Sequence, residues 1–162
     1  MRPPPLTPLA AAVLHVPAPE RALVIPCGAG DPALFLAREF PTARVRGVDS
    51  SAANVGAASK RVGLDPEGRI AFKQGTARHL PYPDDFFDLA AQLDGRPPLA
   101  EIARVLRPGA HLILTRSRPP RVAPQLQEKL RVTCLARRGF TPIRAERAGE
   151  GSFQIAGLAE VE

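Results

Sequence analysis

Short apolar runs alternate with segments of helical period along most of the chain, and turn residues punctuate the changes. Arg21–Ile25 is an apolar run of strand length. Asp31-Pro32 then predicts a helix through Leu34, Leu36 and Ala37 to Phe40, with Asp31 as N-cap and proline at the first helical position. Arg44–Asp49 reads as a second strand, and Ser51 caps a helix over Ala52–Val62 that Gly63 and Asp65-Pro66 end. Ile70–Gln74 and Phe87–Leu93 read as the third and fourth strands. A short helix over Pro98–Leu106 is stopped by Pro108-Gly109, and Ala110–Thr115 forms the fifth strand. Gln125–Arg138 predicts a helix with Leu126, Leu130, Thr133 and Cys134 on one buried face and Gly139 as C-cap. Thr141–Arg147 and Ser152–Glu160 are joined by Ala148-Gly149-Glu150-Gly151, a hairpin signal. Strands alternating with helices imply an α/β fold: a doubly wound, mostly parallel seven-stranded sheet covered on both faces, with an antiparallel C-terminal strand. Prolines at 3, 4, 5, 8, 17 and 19 make residues 1–19 a Pro-rich arm in which Leu9–Val16 could form two helical turns. Residues 20–162 are then a single domain.

Composition narrows the class. The chain has 162 residues, 44% hydrophobic and 23% charged, an ordinary globular balance for one domain. The longest uncharged apolar stretch, Leu6–Pro19, contains three prolines and is too short to span a bilayer. Leu6–Val16 behind Arg2 lacks the A-x-A site of a signal peptide, and a strand follows at once, so a cytoplasmic protein without a membrane partner is expected. Net charge is +6, and all but Lys60, Lys73 and Lys129 of the 22 basic residues are arginine. No run of five like charges occurs, and with one Tyr and no Trp there is little to stack on bases. Arg116, Arg118, Arg121, Arg131, Arg137 and Arg138 therefore read as a solvated face, with an RNA contact as the rival reading. Cys27 and Cys134 form no C-x-x-C pair and have no histidine at zinc-ligand spacing, so they read as two reduced core thiols and no metal is implied.

Candidate chemistry gathers at the first strand–loop–helix. Ligands of a doubly wound sheet bind beyond the carboxyl ends of its strands, at the switch point. There the sequence runs Ile25-Pro26-Cys27-Gly28-Ala29-Gly30-Asp31, two glycines that let backbone approach a ligand closely. The second strand ends in Asp49, 19 residues after Gly30, where an acidic residue accepts hydrogen bonds from ribose hydroxyls. An adenosine-containing cofactor suits this combination. Gly28-x-Gly30-x-x-Ala33 also satisfies the dinucleotide pattern, but a dehydrogenase normally needs a further substrate domain, and only a helix and a hairpin follow residue 115.

Four stretches resemble class I S-adenosylmethionine-dependent methyltransferases, in particular the small type 11 group, which have a Rossmann-like fold. Ala22-Leu-Val-Ile-Pro-Cys-Gly-Ala-Gly30 resembles the family's V-L-D-x-G-C-G-T-G, and Arg46-Gly-Val-Asp-Ser-Ser51 its G-V-D-x-S. Gly75-Thr-Ala-Arg-His-Leu-Pro-Tyr-Pro-Asp-Asp-Phe-Phe-Asp88 is similar to G-D-A-x-x-L-P-F-P-D-x-S-F-D, and Glu101-Ile-Ala-Arg-Val-Leu-Arg-Pro-Gly-Ala110 to E-x-x-R-V-L-R-P-G-G. The resemblance implies that Cys27, Gly28, Ala29 and Gly30 wrap the methionine and ribose of S-adenosyl-L-methionine, with Asp49 on the ribose hydroxyls. It puts Ser50, Thr76 and Ala77 beside the adenine, makes Gln92 and Leu93 flank the sulfonium facing the acceptor, and gives Asp88 a structural role. The chain departs from the pattern at Val24, where the family has an acid, at Pro26 in place of the first loop glycine, and at Thr76 in place of an aspartate.

Methyl transfer is an in-line displacement that depends on alignment, so no catalytic triad is needed and no catalytic residue is assigned. His79 is the best-placed base should the acceptor need one, with an exposed loop histidine as the plainer reading. The family's longer N-terminal lid and its insertion near the fifth strand have no counterpart here, where Asp94–Pro98 alone follows the fourth strand. An open acceptor pocket is therefore expected, covered by a large substrate, a homodimer or a partner subunit. The rival function is a catalytically inactive subunit that keeps the fold as a binding scaffold.

Overall fold

The computed structural model describes residues 6–63, 65 and 67–160. Strands β1 (Arg21–Ile25), β2 (Arg44–Asp49), β3 (Ile70–Gln74), β4 (Phe87–Leu93), β5 (Leu106–Arg116), β6 (Phe140–Ala148) and β7 (Gly151–Leu158) form one sheet in the order β3-β2-β1-β4-β5-β7-β6. All neighbours through β5 pair parallel, and β7 is antiparallel to both β5 and β6. The antiparallel strand is thus one place in from the edge, and β6 is the edge itself. The first five strands follow the apolar runs because period-two alternation sends their side chains to opposite faces, and helices cover both. Leu89, Ala91, Ile113 and Ile155 share one cluster with Leu36 of α2 (Asp31–Glu39). Leu23, Ala90, Leu112 and Leu114 share another with Ile102 and Val105 of α4 (Leu99–Val105) and Leu135 of α5 (Pro124–Arg137).

Four expectations change in structure. Asp31 is not the N-cap of α2: Gly30 occupies that position at φ +104°, a conformation that favours glycine, and Asp31 instead accepts from Arg61 Nη1 at 2.7 Å. The Pro108-Gly109 pair does not precede β5 but lies within it. Pairing shifts from Phe87–Leu106 to Leu89–His111, and this irregularity accommodates a proline that has no N–H to donate. Helix α5 does not bury the stripe expected of it. Leu126 and Leu130 are 57% and 56% exposed, Cys134 is exposed, and Leu135 is the residue that reaches the core. The physical reason is what lies beneath: the sheet presents the Gln154 amide to α5, which meets it with Arg131 and Glu128. Finally, the proline-rich start contributes to the core. Thr7–Ala12 forms α1, whose Leu9 and Ala12 are fully buried beside Val24 and Phe153. Helix α3 (Ala52–Val62) begins as expected, with Ser51 Oγ accepting from Asn54 N, and ends at Gly63; Pro66 lies outside the described residues.

Two ion-centred clusters hold the segments that frame the site. Asp88 accepts from the backbone N–H groups of Glu20 and Arg21 at 2.9 and 3.0 Å, anchoring the entry to β1 on β4. Glu101 and Arg104, one turn apart on α4, clamp the long β3–β4 connection. Leu80 N donates to Glu101 Oε1 at 2.7 Å, and Arg104 donates to Leu80 O, Tyr82 O and Asp84 Oδ1, each at 2.9 Å. The Arg104 guanidinium bonded to Glu101 holds that carboxyl below its ordinary pKa, with the Leu80 N–H adding to the effect. The E-x-x-R spacing is therefore explained by this clamp: i and i+3 lie on one helix face.

Arg104→Ala is expected to lower stability by about 2–3 kcal/mol, since it leaves two carbonyls and two carboxylates without their charged donor. The urea midpoint should fall with an unchanged slope. Because the Glu101 pKa is lowered on folding, its contribution is present above the ordinary glutamate range and is lost as pH falls through the lowered value. The difference between wild type and Arg104→Ala should accordingly shrink in acid and not in mild alkali.

Candidate active site

β1 and β4 are adjacent, and their connections leave in opposite directions, so a crevice opens at their carboxyl ends. After Ile25 the chain turns back tightly: Cys27 N donates to Val48 O at 2.9 Å and Gly30 N to Cys27 O at 3.0 Å. Asp49, 7% exposed, fastens this turn to β2. Its carboxylate accepts from Gly28 N at 3.0 Å, Ser51 N at 2.9 Å and Asn54 Nδ2 at 3.3 Å, and its carbonyl accepts from Gly75 N. A carboxylate offers about four lone-pair sites, so it retains acceptor capacity for one more donor.

A cavity of about 340 Å³ occupies the crevice. Six of the ten sequence-selected residues line it together: Asp49, Ser50, Thr76, Ala77, Gln92 and Leu93. Cys27, Gly28, Ala29 and Gly30 are not in its lining; Pro26 is. The Cys27 side chain is fully buried and faces the sheet, where a Cβ on Gly47 would lie only 2.7 Å from its own. Burial first, and the Asp49 charge second, push the Cys27 thiol up to about 11. Gly28 has φ +52°, and a Cβ built on it meets nothing within 4 Å, so open space lies in front of the loop.

Gln92 and Leu93 are the last residues of β4. Gln92 Nε2 donates to Asp94 O at 2.9 Å, while its buried Oε1 has no partner among the described residues. The β4–α4 loop is more than a short connector: Asp94, Gly95, Arg96 and Pro98 all line the cavity. The available signal was an Asp-Gly turn at the carboxyl end of a strand. Asp94 sits at φ +51°, and its carboxylate accepts from Ser117 N at 2.7 Å and from Ser117 Oγ, tying the loop to the end of β5. His79 lies outside: its side chain is 81% exposed, 3.7 Å from Glu101.

The arrangement has the attributes of a nucleoside pocket. A buried carboxylate with spare acceptor capacity stands at one end, two hydroxyls (Ser50 and Thr76) at the side, and Ile25, Val48, Leu80 and Leu93 provide apolar wall. The open space before Gly28 and the unpartnered Gln92 oxygen fit a ligand bearing a ribose and a polar tail. Val24, where an acid was expected, is fully buried in the cluster with Leu9 and Leu36, surroundings that favour an apolar side chain.

Residues 22–109 match the sequence model of a family described as a methyltransferase domain. Among curated proteins, a fatty-acid O-methyltransferase of Mycolicibacterium smegmatis is 32% identical over 118 residues, covering 68% of this chain and 42% of that protein. The chain spans about half or less of the length of the curated relatives it matches. Among solved structures, a chain of the complex between the Haloferax volcanii Trm112 methyltransferase activator and a methyltransferase superposes with a TM-score of 0.82 at 15% identity. It covers 97% of this chain and 90% of that one. A SAM-dependent methyltransferase from Aquifex aeolicus gives 0.78 at 18% identity, covering 95% and 91%. These two likenesses establish the fold.

The raised Cys27 pKa and the exposure of Cys134 predict a simple thiol count. At pH 8 a disulfide reagent should titrate one thiol in the native protein and two after denaturation. Two fast native thiols would contradict the burial of Cys27.

Proposed function

Because the chain belongs to the class I S-adenosylmethionine-dependent methyltransferase family, we propose that it binds S-adenosyl-L-methionine in the β1/β4 cavity and transfers the methyl group to an acceptor. One observation carries this reading: Asp49, fastened to the Gly28 N–H at the end of β2, lines the same cavity as Ser50, Thr76, Ala77, Gln92 and Leu93. In this reading Asp49 holds the ribose hydroxyls, and Ser50, Thr76 and Ala77 lie beside the adenine. The backbone of Cys27, Gly28, Ala29 and Gly30 borders the methionine and ribose, and Gln92 and Leu93 face the sulfonium and the acceptor. When bound, the cofactor supplies an electrophilic methyl group on a positively charged sulfur. The chain's own contribution is alignment and exclusion of water, which needs rigid walls more than an acid or base. The Asp94–Ser117 and Glu101–Arg104 contacts supply that rigidity on two sides of the cavity.

A second reading, a non-catalytic subunit that keeps the fold, is favoured by Val24, Pro26 and Thr76. They remove a carboxylate, a glycine N–H and a second carboxylate from the family pattern. The Haloferax volcanii neighbour, solved with an activator protein, supports a partner subunit in either reading. Among the described residues no helix is long and apolar enough to cross a membrane.

Calorimetric titration with S-adenosylmethionine and S-adenosylhomocysteine, with NAD as control, is the test. Micromolar binding of the first two alone is expected, and Asp49→Ala should weaken it at least tenfold, the loss of about one charged hydrogen bond. Absence of binding up to millimolar concentration would overturn the cofactor reading in favour of the scaffold. Unchanged affinity in Asp49→Ala would overturn the site assignment.

A further inference from the structure

A second, larger groove of about 830 Å³ opens between the β4–α4 loop and α5, and it shares Asp94, Gly95 and Arg96 with the cofactor cavity. Its lining combines two chemistries. Five arginines contribute, among them Arg96 on the loop, Arg116 at the end of β5 and Arg131 on α5, against a single acidic residue, Asp94. Apolar side chains share the lining, Leu99, Val122 and Leu130 among them. The exposed position of Leu130 on α5 thereby has an explanation: it faces a groove instead of the core.

Positive charge is in excess in this groove, with five arginines against Asp94 in the lining and Glu128 near Arg131. Among the described residues, no carboxylate lies within 4 Å of any of the five guanidinium groups. Asp94 accepts from Ser117 and Glu128 from the Gln154 amide, so both carboxylates act on Arg131 through space without a direct ion pair. Arg131 is left with one long contact to Gln154 Oε1 at 3.4 Å, and Arg116 with one to Gln127 Oε1 at 3.5 Å. Burial first, and the neighbouring Arg116 charge second, lower the Arg131 pKa to about 10. Confined like charges repel, and a half-buried guanidinium with most of its five donors free is a ready partner for a planar or tetrahedral oxyanion.

We propose that this groove is the acceptor site and that Arg116 and Arg131 make it selective for molecules carrying a carboxylate or phosphate on an apolar body. The proposal rests on the reading of the adjoining cavity as the cofactor site. The anionic group sits against the two arginines, the apolar body lies along Leu99 and Leu130, and the shared loop Asp94–Arg96 is where acceptor and cofactor approach each other.

The test is equilibrium binding of 1-naphthyl phosphate, 1-naphthoate and neutral 1-naphthamide to the full chain, with and without saturating S-adenosylhomocysteine. At least one anionic probe should bind tenfold or more tighter than the amide, and the preferred one identifies the headgroup. Arg116→Gln and Arg131→Gln should each reduce anion affinity about tenfold while leaving the amide within twofold. Arg96→Gln, on the exposed loop, gives the same direction of change should a half-buried substitution unfold the protein. Equal affinity for anions and amide, or anion binding unchanged in all three variants, overturns the proposal. Competition with S-adenosylhomocysteine overturns it too, since the probe would then occupy the cofactor cavity. Single-stranded RNA that displaces the anionic probes and binds far more tightly than they do would also overturn it, assigning the arginines to a nucleic-acid face. Anion selectivity without S-adenosylhomocysteine binding would leave the selectivity standing and overturn the cofactor reading instead.

Discussion

The carboxylate of Asp49 is the point through which the functional end of the molecule is assembled. A buried charge is costly unless its lone pairs are met, and here three donors from two different segments meet them: Gly28 N–H, Ser51 N–H and the Asn54 amide. Satisfying that one group therefore closes the β1 turn onto β2, starts α3 where it starts, and sets the crevice at the sheet's switch point. The backbone carbonyl of the same residue accepts from Gly75, which brings the β3 connection to the cavity as well. Structure and proposed chemistry coincide at this residue, since acceptor capacity remains for a ligand hydroxyl.

Elsewhere the two are separated. The most distinctive stretches, the L-P-x-P segment and E-x-x-R, serve the scaffold: Glu101 and Arg104 convert a twelve-residue connection with no strand or helix of its own into a rigid wall by bonding its backbone at Leu80 and Tyr82. Rigid walls suit a reaction governed by alignment. Charge selection, by contrast, is placed on α5 and the strand ends, outside the matched region 22–109.

The sequence was most legible in the parallel strands. Arg21–Ile25, Arg44–Asp49, Ile70–Gln74 and Phe87–Leu93 match their strands end for end: β1 and β4 are central and mostly apolar, β2 and the edge strand β3 are more mixed, and turn or cap residues bound them all. It was least legible at α5. There Leu126, Leu130 and Cys134 stand at helical spacing and look like a core stripe, but the sheet below offers Gln154 and the helix turns a different residue inward. Proline content likewise masked the packing of α1, whose buried Pro8, Leu9 and Ala12 lie in a helix that contacts β7 and β5, strands that are far apart in the chain from it.

The amino-acid order by itself determined the alternation of strands and helices, the glycine turn, the acid at the end of β2 and the family to which these belong, because all are properties of neighbouring residues or of short fixed spacings. Only the tertiary structure decided which of the selected residues share a cavity and that Asp94–Pro98 is part of its wall. It alone decided that arginines from β5, α5 and a loop converge on an apolar groove. Those juxtapositions join residues distant in the chain, and they depend on strand order and on what each helix finds beneath it, which no local pattern encodes.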